Sequence, residues 1–279
     1  MQLPLLKTTY FLKEEETDGH NPMKFECSDG NIYYCKYLTS VKQAEIDCLA
    51  YEIVANQLLK SLNIATPDIV LVQISPDSVS KKDLKYNKRA LPDKVCFGSK
   101  LVPASSLANG TQLFANRREV KRYSNYTDII KIAAFDLMVD NRDRGREDNI
   151  NQLEAEISMD NKKMLKFYAI DHAFIFGGQK ELRFFKPSED LNYGSKLIEN
   201  EYFKSLVSYV PKKIRLQVLE EFVTSYPKVY DQALQNAFTL FHCSWQIPPN
   251  LNQRMFDFLS NKERLDRVIN KMNESLKLL

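Results

Sequence analysis

The sequence predicts an α+β fold in two lobes, a β-rich N-terminal lobe with one long helix and a mainly helical C-terminal lobe. Three observations lead there. Short β-branched and aromatic runs dominate the first hundred residues, one stretch of helical periodicity interrupts them, and helical periodicity takes over beyond Ser105. The division falls into residues 1–102 and 103–279, with a hinge near Phe97 to Pro103.

In chain order, Met23 to Cys27 and Ile32 to Leu38 flank Ser28-Asp29-Gly30-Asn31, a tight-turn signal that makes them a hairpin. Period-two alternation sends Lys36 to the same face as Ile32 and Tyr34, where a cation needs an anionic partner. From Lys42 to Leu62, apolar residues recur every three or four positions, as in a long amphipathic helix. Thr66-Pro67 leads into the strand-like Ile69 to Ile74, the polar Ser75 to Asp93 reads as an exposed loop or hairpin, and a strand follows from Val95 to Val102. Thr127 to Asp140 is apolar on nearly all sides, the mark of a buried helix, and Met164 to Ile170 reads as a buried strand. Further helices are expected at Lys212 to Val223, Val229 to Phe241, Leu251 to Leu259 and from Glu263 onward, the last capped by Asn261.

Composition excludes several classes. With 44% hydrophobic and 27% charged residues the chain is neither disordered nor fibrous. A balance of 39 basic against 36 acidic residues, net +3, does not indicate direct nucleic-acid binding. No apolar run reaches the roughly 18 residues of a membrane span, and Leu3 to Leu6 is too short for a secretory signal. The five cysteines form no C-x-x-C pair, so reduced thiols and a cytoplasmic setting are expected.

The segment richest in chemistry is Asp136 to Asn151, where eleven of sixteen residues are charged or Asn. Such a stretch can be a solvated turn. It is followed, however, by a buried strand that ends in Asp171-His172, and an acid at a strand end facing an Asn-bearing loop can hold a hard cation through oxygen. Asp171 and Asn149 suit magnesium, and Asp143 is placed to take a proton from an attacking hydroxyl or to orient it. Protein kinases distribute the same duties over a catalytic-loop Asp, a following Asn and a strand-end Asp, with a strand Lys on the phosphates and a helix Glu holding that Lys.

The chain resembles the HipA-like kinases, a branch of the protein-kinase-like fold related to phosphatidylinositol kinases. The resemblance is carried by Asp18-Gly-His-Asn-Pro22, Asp29-Gly30, Lys36, Tyr51-Glu52 to Ala55, Ile64 to Pro67, Phe97-Gly-Ser99, Asn141-Arg-Asp-Arg144, Asn149 and Ile170-Asp-His172. It implies an ATP- and Mg2+-dependent serine/threonine protein kinase, with Gly19, His20 and Asn21 in a shortened phosphate loop. Lys36 would contact the phosphates, Glu52 (or Glu45) would hold it, Asp143 would serve the hydroxyl, and Asn149 (or Asn151) with Asp171 would bind the metal. An acceptor hydroxyl, on a protein, and an antitoxin-like or regulatory partner are further implications. A catalytically impaired nucleotide-binding module is the alternative.

Several features have simpler structural accounts. Lys36 can be a snorkelling edge lysine, Glu52 a helix-surface residue paired with a lysine, and Asp136 a brace for the loop. Arg117, Arg118, Lys121 and Arg122 form a basic cluster of the kind found on solvated surfaces.

Overall fold

A computed structural model describes residues 2–16, 21–36, 43–80, 82–85, 94–145, 150–178 and 196–279. Five strands, β1 (Leu5–Glu14), β2 (Met23–Cys27), β3 (Ile32–Lys36), β4 (Ile69–Gln73) and β5 (Val95–Lys100), close a barrel in the order β1-β2-β3-β5-β4. β1 and β4 are parallel, and every other barrel pairing is antiparallel. Alternation decides the faces: Met23, Phe25, Cys27, Tyr33 and Cys35 fill the barrel with Val70, Val72 and Cys96. Gly30 turns the β2–β3 connection at φ 74°, and the Asp29 carboxylate accepts hydrogen bonds from the Asn31 backbone and the Tyr33 hydroxyl.

The helix α1 (Gln43–Ser61) is buried without interruption from Asp47 to Asn56, which departs from the expected amphipathic pattern. It lies between the barrel and the long helix α5 (Lys212–Thr239), so both faces are covered. Its buried polar groups therefore need partners, and Asn56 finds one in the Pro67 carbonyl at 2.8 Å. β4 is likewise buried on both faces, Val70 and Val72 toward the barrel and Ile69 and Leu71 toward the main core, which accounts for its continuous apolar run.

Beyond the barrel come α2 (Arg117–Val120), α3 (Asp128–Val139), α4 (Glu201–Ser208), α6 (Pro249–Leu259) and α7 (Lys262–Leu278). A second antiparallel sheet of β6 (Ser105–Leu107), β7 (Gln152–Met159) and β8 (Lys162–Ala169) is placed among them. α3 is buried along its length, and Arg264 of α7 donates to the Leu137 and Met138 carbonyls at 2.5 and 2.7 Å, satisfying acceptors that a helix C-terminus leaves open. Asn261 caps α7 by accepting from the Arg264 backbone N–H.

Other sequence expectations are corrected. The two helices expected at Lys212 to Val223 and Val229 to Phe241 are one, α5, with Pro227 inside it. Proline removes one N–H from the helix ladder. Here the stacked rings of Phe222, Tyr226 and Tyr230, with centroids 5.8 and 5.6 Å apart, carry the buried face across that gap. Of the stretch Phe97 to Pro103 expected as a hinge, Phe97 to Lys100 belong to β5 and pair with β3. Among the described residues no helix is long and apolar enough to cross a membrane.

Candidate active site

β3 is an internal strand of the barrel, paired with β2 and β5, and its outward face carries Tyr34 and Lys36 into a cleft of ≈ 900 Å³. The Lys36 ammonium meets the Glu52 carboxylate of α1 and lies 2.6 Å from Asp171 Oδ1, at the end of β8. Its side chain is 12% exposed and that of Glu52 is 5% exposed, so the pair is held largely out of water. Burial works against the Lys36 charge, but Asp171 and then Glu52 outweigh it and raise the lysine above its ordinary range. Burial also pushes Glu52 up, with Lys36 pulling it back. The second Glu52 oxygen accepts the His172 backbone N–H at 3.1 Å, so one carboxylate joins α1 to both β3 and the end of β8.

The opposite wall is built where α3 ends. Asp140 closes that helix in the left-handed region at φ 52°, and its carboxylate grips Arg142 at 2.8 Å. Asn141 turns back to donate to Asp136 Oδ1 at 3.0 Å, while its own side-chain oxygen accepts the Asp143 N–H at 3.2 Å. Asp143 is thereby aimed into the cleft, where its Oδ2 accepts from Asn151 Nδ2 at 3.0 Å. Asp136 is fully buried and ion-paired with Arg144 at 2.7 Å, a brace beneath the loop. The segment continues through Gly145 at φ 95°, where a Cβ would come within 2.2 Å of the Leu197 nitrogen. Only glycine suits that position.

Of the residues the sequence put forward, Lys36, Glu52, Asp143, Asn151 and Asp171 line this single cleft. Asn21 directly precedes Pro22, which also lines it. Gly19, His20, Asn149 and the side chain of Glu45 lie outside the described residues. Sequence reasoning did not single out the apolar wall formed by Ile69, Phe97, Leu153 and Ile170. Leu153 could have been found from the alternation in Gln152–Met159, whereas the convergence of the wall depends on contacts between distant segments.

The donor set can be tested for a divalent cation. Asp143, Asn151 and Asp171 present carboxylate and amide oxygens to one space, the hard donors magnesium takes. Among the described residues no three His, Cys, Asp or Glu side chains gather into a metal cage. Such a site fits a cation that takes one or two protein oxygens and completes its shell with phosphates and water.

Solved structures share this architecture. The Helicobacter pylori proinflammatory kinase CtkA aligns over 99% of this chain and 100% of its own, with a TM-score of 0.53 and 15% identity. The Golgi casein kinase with Mn and ADP bound aligns over 98% of this chain and 73% of its own, with a TM-score of 0.50 and 12% identity. The fold is that of a kinase. The sequence matches the HipA-like kinase family over residues 12–188, more than half of the chain, and the protein belongs to that family. No curated protein sequence is significantly similar to it.

Proposed function

We propose that the protein is an ATP- and Mg2+-dependent kinase that transfers the γ-phosphoryl group to a serine or threonine hydroxyl of a protein. The observation that carries this reading is the position of Lys36 between Glu52 and Asp171, in the cleft that Asp143 and Asn151 also line. Division into lobes 1–102 and 103–279 sets that cleft between them. A reducing, cytoplasmic setting suits five cysteines that form no disulfide.

Each residue has a role that its surroundings support. Lys36, held charged by two carboxylates, neutralises the nucleotide phosphates, and Glu52 fixes its direction. Asp143, oriented by its backbone bond to Asn141 and its side-chain bond to Asn151, receives the proton of the incoming hydroxyl. Asp171 and Asn151 hold Mg2+, which when bound neutralises charge on the transferring phosphoryl group. We assign the amide role to Asn151 because its side chain already touches Asp143 in the cleft. Ile69, Phe97 and Leu153 supply an apolar wall suited to a purine ring.

The test is phosphoryl transfer from γ-labelled ATP to protein with Mg2+ present. Wild type is expected to label protein, and Asp143→Ala to lower the rate by about 10²-fold or more. Equal rates would remove the role of Asp143, and nucleotide binding without any transfer would favour a regulatory module.

A further inference from the structure

Arg144 is one of the two charged side chains among the large, fully buried ones, and none of the roles above uses its guanidinium directly. Burying such a group is unfavourable unless its donors are met. Its contacts reach three separate segments, Asp136, Ile150–Asn151 and Ile170–His172. Nε meets Asp136 Oδ2 at 2.7 Å as an ion pair, without the angle of a hydrogen bond. Nη1 donates to the Asn151 carbonyl and, at 3.4 Å, to that of Ile150. Nη2 donates to the Ile170 carbonyl at 3.1 Å and to His172 Nε2 at 2.7 Å.

Two of those carbonyls belong to Asn151 itself and to the residue before Asp171. Both Asn151 and Asp171 adopt the left-handed backbone, at φ 44° and 58°, a conformation costing about 1–2 kcal/mol per residue unless its surroundings hold it. The Asn151 carbonyl also accepts the Ile170 N–H at 3.2 Å, so Asn151 is hydrogen-bonded to the residue before Asp171, and one guanidinium spans the carbonyls of both bonded residues. Because an arginine can only donate, His172 Nε2 is the acceptor and the ring proton is on Nδ1, 3.9 Å from Glu52 Oε2.

We propose that Arg144 is a positioning residue that fixes the separation and facing of Asn151 and Asp171 for a phosphate-bound divalent cation. This rests on the metal-binding roles given above. Lysine cannot replace it, because three donors on one nitrogen cannot span Asp136, two carbonyls and an imidazole, whereas a planar fork of five donors does.

Calorimetric titration of a nonhydrolysable ATP analogue, with Mg2+ and with EDTA, tests the proposal in wild type, Arg144→Lys and Asp171→Asn. Arg144→Lys is expected to keep its metal-free affinity within about twofold while the Mg2+-dependent gain falls about tenfold, as for other groups that orient metal ligands. An unchanged gain in Arg144→Lys, or an equal loss of affinity with and without metal, overturns the proposal. If wild type shows no Mg2+-dependent gain, the metal-binding reading fails and the proposal with it. If Asp171→Asn abolishes the gain and Arg144→Lys does not, only the role of Arg144 fails. Should Arg144→Lys not fold, Asp136→Asn releases Nε while leaving the guanidinium in place. It is expected to reduce the gain about threefold, and an unchanged gain in that variant also overturns the proposal.

Discussion

The two walls of the cleft hold their polar groups by different means. On the barrel side, Lys36 and Glu52 sit in a strand and a helix whose backbone bonds are regular, and their directions follow from periods of two and 3.6. On the opposite side, Asp143, Asn151 and Asp171 lie in connections with left-handed residues at 140, 151 and 171, held by buried ion pairs and carbonyl contacts. Regular elements place a charge by local geometry, whereas irregular ones place it through long-range contacts. A substitution on the first side should act mainly through the charge it removes, and one on the second through displacement of the loop.

The largest expected effect lies on the barrel side. Lys36→Met leaves the Glu52 carboxylate buried without its cation, at about 3–5 kcal/mol. Phosphoryl transfer should fall to background while the melting temperature drops. The pH dependence has a definite sign. Burial already raises Glu52 above its ordinary 4.5, and loss of Lys36 removes the influence that lowers it. The folded variant then binds more protons than the unfolded chain above pH 4.5, so its stability falls as pH rises. Thermal melts should therefore show a larger deficit at about pH 8 than at about pH 5. A deficit that does not change with pH would mean that Glu52 is not the buried group responsible.

A smaller effect is expected from Gly145→Ala on the loop side. It forces a Cβ toward the Leu197 nitrogen at a positive φ, with an expected loss of about 2 kcal/mol. Because Asp143 is two residues away, kcat should fall more than nucleotide affinity. Equal losses in the two would argue that the loop moves without altering Asp143. Smallest for activity is Arg264→Met, which removes the guanidinium from the Met138 carbonyl and leaves that of Leu137 only the long Asp140 N–H contact, at about 2 kcal/mol. Differential scanning calorimetry should show a melting temperature lower by about 4–8 °C, with kcat retained once the protein is folded.

The same contrast explains what was legible in the sequence. The β2–β3 hairpin, the direction of Lys36, the buried helix at 128–139 and the cap at Asn261 follow from local pattern and turn chemistry. β1 was not legible, because Leu5–Glu14 has little clean alternation and its pairings with β2 include two register shifts. β7 was overlooked although Leu153, Ala155, Ile157 and Met159 alternate with Glu and Ser before a turn at Asp160-Asn161. The break expected between Val223 and Val229 was overruled by aromatic packing on both sides of Pro227. In the site, the spacing of Asn149 and Asn151 left two candidates; the fold brings the Asn151 amide to Asp143, and Asn149 lies outside the described residues. No local pattern could foretell that Arg144 would bridge carbonyls at 151 and 170, since those acceptors belong to the backbone.

A crystal structure of the protein with an ATP analogue and Mg2+ tests the central claim most directly. The account predicts phosphate oxygens within about 3 Å of Lys36 Nζ and a cation bound by Asp171 and Asn151. A nucleotide bound away from this cleft, or a cation held without Asp171, would contradict it.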